Sequence, residues 1–194
     1  VPKAREKNAM YELGNQLLEE MGFVSIGMDH FALPTDKLLK VYTEGNLHRN
    51  FMGYTTTNHK LVIGLGASSI SDTWTSFAQN EKTVESYQEK IDAGEFPLIN
   101  GHRLSDQDLL IRRHILELMC QDRTRLNAAD FEEGMWDHIK RRLKALGDDD
   151  LIRFEDNVIQ VLPKGRLFIR NICSSLDAYL FKNDKEQNVF SRAI

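Results

Sequence analysis

Two short polar segments contain the side chains of this sequence that could do chemistry. Asp29 and His30 directly follow the apolar run 23–28, and His-Arg-Asn occupies positions 48–50 in a stretch without hydrophobic periodicity. The apolar run predicts a strand, and βα proteins place reactive groups at the carboxyl ends of their strands. An aspartate beside a histidine can orient the ring, bind a ribose or anchor a loop by a hydrogen bond.

The other titratable side chains do not form a recognisable catalytic or metal site. The six histidines are scattered without zinc spacing, and no nucleophile can be paired with a base. His114 and His138 fall within predicted helices and are interpreted as structural residues. The run of Asp148, Asp149 and Asp150 lacks the oxygen spacing of a calcium loop. We therefore predict no metal ligand in this chain.

Two segments have the composition of functional loops. The stretch 45–58 combines glycines, threonines, aromatics and an arginine without a clean period, which predicts a long functional loop. The segment 64–71 is rich in small residues and follows a predicted strand at 61–63, so its backbone amides could approach a ligand closely. Ser69 replaces the third glycine of a dinucleotide fingerprint, which favours a different ligand.

The remaining sequence predicts mainly helices, which must position these segments. The hydrophobic spacing and the capping residues predict helices at 13–21, 36–42, 82–93, 105–121, 128–147 and from Pro163 onward, with a hairpin at 151–154 and 158–162. Helices followed by a hairpin and a closing helix are typical of a winged-helix module. The predicted wing carries Arg153 beside Glu155 and Asp156, which favours a packing role over DNA reading.

Composition excludes several classes of protein. The chain has 194 residues, a net charge of −4 and 28% charged residues, which is ordinary for a globular protein. It has no block of basic residues for nucleic acid or anionic membranes, and no apolar run near the ~18 residues of a membrane span. Cys120 and Cys173 lie in apolar, helix-like stretches and are interpreted as buried thiols. We expect a cytoplasmic protein.

Four segments closely resemble one enzyme family. They are residues 26–32, 45–56, 64–71 and 165–173. Together they resemble the oxygen-independent coproporphyrinogen III oxidases, radical S-adenosylmethionine enzymes of haem synthesis, over essentially the whole chain. The run 48–56 is the specific part, because the related haem chaperones differ there. The closing residues 190–194 are also similar to the natural end of the family.

The resemblance implies that this chain is the C-terminal portion of such an enzyme. The family holds a [4Fe–4S] cluster with a Cys-x3-Cys-x2-Cys motif, whereas the two cysteines here are far apart in sequence. The implied fold is α/β plus mainly α. Residues 1–75 are expected to form the last strand–helix pieces of an incomplete radical-SAM barrel, and 76–194 a helical, winged-helix-like domain with a small hairpin. The fragment alone is expected to be inactive.

The resemblance also implies the reaction and its cofactors. The family decarboxylates two propionates of coproporphyrinogen III oxidatively to vinyl groups, by means of a 5′-deoxyadenosyl radical. It uses two S-adenosylmethionine molecules, an external electron donor and a cluster that the missing N-terminal part would bind. Phe51, Met52, Gly53 and Ile70 match positions of the second S-adenosylmethionine site, although the family usually has Gln where this chain has Met52. The alternative is a haem chaperone or tetrapyrrole-binding protein without decarboxylase activity.

The substrate that the resemblance implies carries four propionates, which guanidinium groups bind well. Arg49 lies in the most specific motif, and we expect it to bind the substrate together with Asp29 and His30. Arg166 and Arg170 are four residues apart and are expected to share one face of the last helix, where they could bind the same ligand. A solvated face or an ion pair with acidic neighbours is the alternative for these two arginines.

Overall fold

The computed structural model describes residues 4–132 and 134–182. They form a mixed α/β structure with small antiparallel sheets and, within these ranges, no closed barrel. The chain divides into two compact units, one built from residues up to Thr56 and from Ile111 onward, the other from Thr57 to Leu110. This division differs from the predicted boundary between residues 75 and 76, which concerns the domains of a longer protein and stays a prediction.

The first unit begins with two helices and two hairpins. In chain order they are α1 (Ala4–Glu20), β1 (Val24–Gly27), β2 (His30–Ala32), α2 (Lys37–Thr43), β3 (His48–Asn50) and β4 (Gly53–Thr55). The strands pair antiparallel as β1–β2 and β3–β4, with Arg49 opposite Tyr54.

One sequence prediction for this part is confirmed and another is wrong. The strand predicted at 23–28 exists as β1, and Asp29 lies in the turn between β1 and β2. The stretch 45–58 is not one long loop, because it contains the β3–β4 hairpin. Its turn needs Gly53 at φ +121°, a conformation that side chains disfavour and that the hydrophobic pattern could not show.

The second unit contains the elements β5 (Ile70–Asp72), β6 (Ser76–Asn80), α3 (Val84–Asp92) and β7 (Leu98–Arg103). The strands form one antiparallel sheet in the order β5-β6-β7. The sequence analysis predicted none of the strands β5, β6 and β7. Every residue of β7 is exposed, so this edge strand has no buried alternate positions to give a period of two. The strand predicted at 61–63 is reduced to a single bridge between Val62 and Asp72.

The helical part of the chain follows from Asp106. Its elements are α4 (Asp106–Gln121), β8 (Arg123–Arg125), a 3-10 turn at Ala128–Asp130, α5 (Met135–Asp148), β9 (Ile152–Glu155) and β10 (Val158–Val161). The three strands form an antiparallel sheet in the order β8-β10-β9. The β9–β10 hairpin is the predicted one, and Asp156 and Asn157 both take positive φ in its turn. The core of the unit is centred on six fully buried residues, Leu118, Ile139, Leu143, Ile159, Ile172 and Leu176.

The helix predicted from Pro163 onward is broken into three pieces. They are a 3-10 segment at Pro163–Phe168, α6 (Ile169–Ser174) and α7 (Ala178–Lys182). Gly165 lies so close to the backbone of β9 that an added Cβ would be 1.9 Å from the carbonyl oxygen of Leu151. This close approach is accompanied by the tighter 3-10 winding. Arg166 and Arg170 therefore belong to different elements and do not share one helical face.

Among the residues that the structure describes, no helix is both long and apolar enough to cross a bilayer. The same residues contain no group of three or more His, Cys, Asp or Glu side chains placed to hold a metal ion. The closing segment 190–194, which resembles the end of the family, lies outside the described residues.

Candidate functional site

The candidate site is built around Tyr54, where the two hairpins of the first unit meet. The Tyr54 hydroxyl donates a hydrogen bond to the carbonyl oxygen of Met119 at 2.9 Å. The edge of the His30 ring meets the Tyr54 ring at 5.0 Å between centroids, and the Arg49 guanidinium lies 5.0 Å from the same ring. Burial raises the pKa of Tyr54 to about 12, and the Arg49 charge opposes that rise. Tyr54 is thus a neutral phenol that joins both hairpins to the end of α4.

His30 is enclosed by its neighbours on both ring nitrogens. Its Nδ1 lies 2.9 Å from Oδ1 of Asp29, but the two atoms do not have the geometry of a hydrogen bond. Its Nε2 lies against Gly53, where an added Cβ would be only 2.5 Å away. The Asp29 side chain is exposed, whereas the His30 ring fills the space between the hairpins. Of this predicted pair, Asp29 is therefore the residue open to a ligand.

The tip of the β3–β4 hairpin presents two apolar side chains to solvent. Phe51 is 52% exposed and Met52 is 87% exposed. The Met52 N–H donates to Oδ1 of Asn50 at 2.8 Å, which fixes the turn that carries both residues. Gly53 completes this turn with its positive φ. Of the predicted cofactor residues, Phe51 and Met52 thus form one exposed surface, whereas Gly53 behind them is buried.

Arg49 points inward from the same hairpin. One of its terminal nitrogens, Nη1, is buried and has no hydrogen-bond partner among the described residues. The Arg49 charge lowers the pKa of Cys120 and of Cys173, but burial outweighs it and raises these values to about 11 and about 12. Both thiols therefore stay protonated. The cluster motif of the family has three cysteines, and this chain has only these two, so it cannot supply the full set of cluster ligands.

Arg166 joins three distant segments of the first unit. Its Nη2 forms an ion pair with Oδ2 of Asp122 at 3.1 Å, donates to the carbonyl oxygen of Ile26 at 3.4 Å, and bonds to the Tyr42 hydroxyl. The guanidinium also lies 5.4 Å from the Tyr42 ring. The contacts of Nη2 therefore hold β1, α2 and the residue after α4 together.

Both members of the ion pair between Asp122 and Arg166 have shifted pKa values. Burial raises the pKa of Asp122, and Arg166 opposes that rise. The Asp122 carboxylate and the Tyr42 hydroxyl raise the pKa of Arg166 against the effect of burial. Arg166 is therefore a permanent cation, and Asp122 depends on it to remain ionised in a partly buried position.

The glycine-rich segment of the second unit is held by its own polar groups. The Gly64 N–H donates to Oγ of Ser71 at 3.0 Å, and the Gly66 N–H donates to the Tyr87 hydroxyl at 3.3 Å. Asn80 is buried and donates to both glycine carbonyls, at 3.2 and 2.9 Å. The expectation that these amides face a ligand is therefore not met at Gly64 and Gly66. The buried Asn80 had no distinguishing signal in the sequence.

The predicted site residues are thus only partly brought together. Asp29, His30, Arg49 and residues 51–53 lie on two packed hairpins, and Arg166 bonds to the strand that leads into them. Arg170 is exposed on α6, and Ile70 begins β5 in the second unit. The sequence reasoning missed the role of Tyr54, although it lies within the most specific motif. It also missed Tyr42 and Asp122, whose contacts with Arg166 span more than 40 residues and leave no local pattern.

Several known proteins similar to this chain carry the same name. The oxygen-independent coproporphyrinogen III oxidase of Synechocystis is 39% identical over 205 residues, covering all of this chain and 43% of the relative. The protein of that name from Thermostichus vulcanus is 37% identical over 201 residues, covering 61% of the relative. A scan against protein-family models finds no match.

A solved structure shows the same similarity. Coproporphyrinogen III oxidase from Escherichia coli, described as a radical SAM enzyme, superposes with a TM-score of 0.81 at 36% identity. The match covers 92% of this chain and 42% of that one. The resemblance inferred from the sequence is confirmed over the whole chain, which spans less than half the length of the Synechocystis relative.

Proposed function

We propose that this chain, a relative of the oxygen-independent coproporphyrinogen III oxidases over its whole length, is part of an enzyme of haem biosynthesis that converts coproporphyrinogen III to protoporphyrinogen IX. The observation that carries the proposal is that sequence similarity covers all of this chain and that the structural match covers 92% of it. The enzyme is cytoplasmic and takes its electrons from an external donor. The chain alone is inactive, because it covers only part of the relatives.

The reaction is an oxidative decarboxylation at two propionates. Each one loses carbon dioxide, a proton and two electrons, and its two methylene carbons become a vinyl group. S-adenosylmethionine bound with a [4Fe–4S] cluster supplies a 5′-deoxyadenosyl radical for this chemistry. The thiols of Cys120 and Cys173 are buried and protonated, so the cluster ligands belong to the rest of the enzyme.

The exposed tip of the β3–β4 hairpin is the contribution of this chain to the second S-adenosylmethionine site. The Phe51 ring can pack on an adenine or a sulfonium, and the fixed turn at Met52 and Gly53 keeps that ring in place. Ile70, in the second unit, also matches a position of that site in the family. Met52 offers only a weak acceptor where the family usually has an amide, so it contributes contact surface more than hydrogen bonding.

The residues proposed for substrate binding form two groups, one exposed to solvent and one facing neighbouring side chains. Asp29 and Arg170 are exposed and free to meet polar groups of a tetrapyrrole. Arg49, His30 and Arg166 are turned toward neighbouring side chains, so they act on the substrate by keeping the hairpins in position. The two arginines also add positive charge beneath the hairpins. A field of this sign attracts propionates.

The finer description of the fold is also a proposal. The order α4, β8, α5, β9 and β10, with a sheet in the order β8-β10-β9, is typical of a winged-helix module and supports such a domain within 76–194. Its hairpin turn, Asp156 and Asn157, is not basic, which supports a packing role. Residues 1–75 correspond to the last pieces of a radical-SAM barrel that the rest of the enzyme completes.

The experiment is anaerobic incubation of the full-length protein with coproporphyrinogen III, S-adenosylmethionine and a reductant, followed by analysis of the porphyrins. We expect protoporphyrinogen IX, and Phe51→Ala should lower turnover at least about tenfold by removing the aromatic surface. Phe96→Ala is the matched control, because Phe96 is the same residue type in the other unit and is also exposed, at 87%.

The alternative function predicts a different outcome of the same experiment. A haem chaperone or tetrapyrrole-binding protein would leave the substrate unchanged and would bind added haem stoichiometrically. Full activity of Phe51→Ala in an active enzyme would instead refute only the assignment of the hairpin tip.

A further inference from the structure

The sheet in the order β8-β10-β9 gathers three arginines on its outer face. One residue in two on each strand packs toward the core, and the residues between them point outward. Gln160 on β10 lies opposite Arg123 on β8 and opposite Arg153 on β9, so the two arginines belong to one row across the sheet. Arg125 follows two positions after Arg123 and shares its face. These three exposed residues, distant in sequence, form what we call the arginine face.

The positive charge of the arginine face is not neutralised within the described residues. No carboxylate among them pairs with its three guanidinium groups, and Nη1 of Arg125 donates only to the backbone carbonyl of Asp156, at 3.0 Å. Glu155 is exposed on the same face, so three positive charges stand against one negative charge. Two strand spacings separate the backbones of Arg123 and Arg153 by about 10 Å, close to the Debye length at about 0.1 M salt. The three charges therefore act together on an approaching molecule.

The chemistry of the arginine face suits contact with an acidic protein. All three of its positive residues are arginines, the residue that protein interfaces are enriched in, whereas lysine is depleted there. A guanidinium group binds a carboxylate through two parallel hydrogen bonds. Nucleic acid fits less well, because Glu155 on the face and Asp156 in the adjoining turn would repel a continuous phosphate backbone.

We propose that the arginine face binds the acidic surface of the protein that supplies electrons to the enzyme. The proposal rests on the proposed function, which requires an external electron donor. In each encounter the donor is oxidised by one electron, and the [4Fe–4S] cluster in the rest of the enzyme is reduced by one. Encounters of this kind use small interfaces and are steered by charge. On a chain with a net charge of −4, the arginine face supplies that local attraction.

Cluster reduction in the reconstituted full-length enzyme tests the proposal, with reduced flavodoxin, a small acidic carrier of one electron, as the probe. Stopped-flow absorbance gives the second-order rate constant at low and at high salt. The double variant Arg123→Glu/Arg153→Glu should lower this constant at low salt at least about tenfold and should weaken its dependence on salt. Dithionite, a small reductant that needs no docking surface, should reduce the variant and the unsubstituted enzyme equally fast.

Arg103→Glu is the matched control for this experiment. Arg103 is an exposed arginine on a strand of the other unit, so its reversal changes the net charge without touching the arginine face. It should lower the rate constant with flavodoxin by less than about twofold. Calorimetric binding of oxidised flavodoxin at low salt gives a second measurement, independent of the cluster, and the double variant should weaken this binding as well.

Four results would overturn the proposal. The first is an unchanged rate constant with flavodoxin in the double variant, and the second is an equal loss in Arg103→Glu, which would assign the effect to net charge. The third is an equal loss with dithionite, which would assign the arginines to the folding of the enzyme. The fourth is binding of duplex DNA in place of flavodoxin, lost in the double variant.

Failure of this proposal is distinguishable from failure of the proposed function. Arginine-dependent binding of flavodoxin by a full-length protein without decarboxylase activity would support the docking surface and refute the proposed function. An active decarboxylase that binds flavodoxin equally well without the arginines would refute only the docking surface.

Discussion

Two arginines of the family-like motifs direct their charge into the protein. The guanidinium of Arg49 lies over Tyr54, and that of Arg166 lies over Tyr42 and pairs with Asp122. Arginine suits both kinds of contact because its planar group stacks on rings and forms hydrogen bonds at its edge. At the scale of single residues, the two arginines therefore place positive charge beneath the hairpins, while the exposed Phe51 and Met52 form the outer surface.

Loss of the Arg166 side chain should destabilise the first unit. Arg166→Ala leaves the partly buried Asp122 without its partner, so we expect the free energy of unfolding to fall by about 2 kcal/mol, less than for a fully buried pair. The free energy of unfolding of Arg166→Lys should lie between those of the unsubstituted chain and of Arg166→Ala, because lysine keeps the charge and lacks the forked guanidinium group. Urea denaturation of the isolated chain measures the change.

Arg170→Ala is the control for this prediction. Arg170 is exposed on α6, four residues further along the chain, so its removal should change stability by less than about 0.5 kcal/mol. Equal losses for Arg166→Ala and Arg170→Ala would contradict the structural role of Arg166.

A buried histidine should make stability depend on pH. Thr124 donates its hydroxyl proton to Glu117, so Nδ1 of His114 must donate to the Thr124 oxygen at 2.7 Å. Nε2 of His114 lies toward Arg113, and Asp130 is a further charge nearby. Burial, reinforced by Arg113 and opposed by Glu117, lowers the pKa of His114.

As the pH falls, His114 therefore binds a proton at a higher pH in the unfolded chain than in the folded chain. Above a pH of about 6.5, the usual pKa of histidine, this effect is absent, and below it stability should fall by up to about 1.4 kcal/mol per pH unit until the folded pKa is reached. His114→Asn keeps a donor at this position but does not titrate. Urea denaturation between pH 7.5 and about 5 should show a shallower slope for this variant, and parallel slopes would contradict the prediction.

At the scale of elements, the packing of two hairpins depends on one glycine. Gly53 has φ +121°, and a Cβ there would lie 2.5 Å from Nε2 of His30. Gly53→Ala should therefore cost about 2 kcal/mol or more in unfolding free energy, from backbone strain and from displacement of the His30 ring. Chemical denaturation of the isolated chain provides the measurement.

Gly45→Ala separates the two causes. Gly45 also has positive φ, at +71°, but no atom lies within 4 Å of an added Cβ. It should cost about 1 kcal/mol, from conformation alone. If Gly53→Ala costs no more than this, the contact between the hairpins does not restrict position 53.

The elements that the sequence predicted well are those with a period and caps of their own. Ser105 and Asp108 cap the start of α4 as expected, and the hydrophobic spacing from Phe131 to Leu143 marks α5. The elements that the sequence did not predict correctly differ from these in physical terms. β3 and β4 are three residues each and too short for a period, β7 is exposed throughout, and the last helix is broken where Gly165 meets Leu151.

The candidate site was predictable to a similar extent. The motif at 48–56 located the hairpin tip, because Phe51 and Met52 lie in one short segment. The partners of Arg166 were not predictable, since Ile26, Tyr42 and Asp122 reach it only through the tertiary fold. The sequence could therefore indicate which residues matter and could not show that several of them face inward.

At the scale of the whole molecule, this chain lacks suitable ligands for the cluster that its relatives imply. Iron–sulfur reconstitution of the isolated chain should yield no stoichiometric cluster, because Cys120 and Cys173 are both buried and are one cysteine fewer than the three of the family motif. Iron analysis and the visible spectrum check this. A brown chain with stoichiometric cluster iron would contradict the division of roles between this chain and the rest of the enzyme.

The release of carbon dioxide from carboxyl-labelled coproporphyrinogen III by the full-length protein tests the central claim most directly. The account predicts two molecules of carbon dioxide for each coproporphyrinogen consumed, only when S-adenosylmethionine and a reductant are both present. A reconstituted, cluster-containing full-length protein that binds the tetrapyrrole and releases no carbon dioxide under these conditions would contradict it.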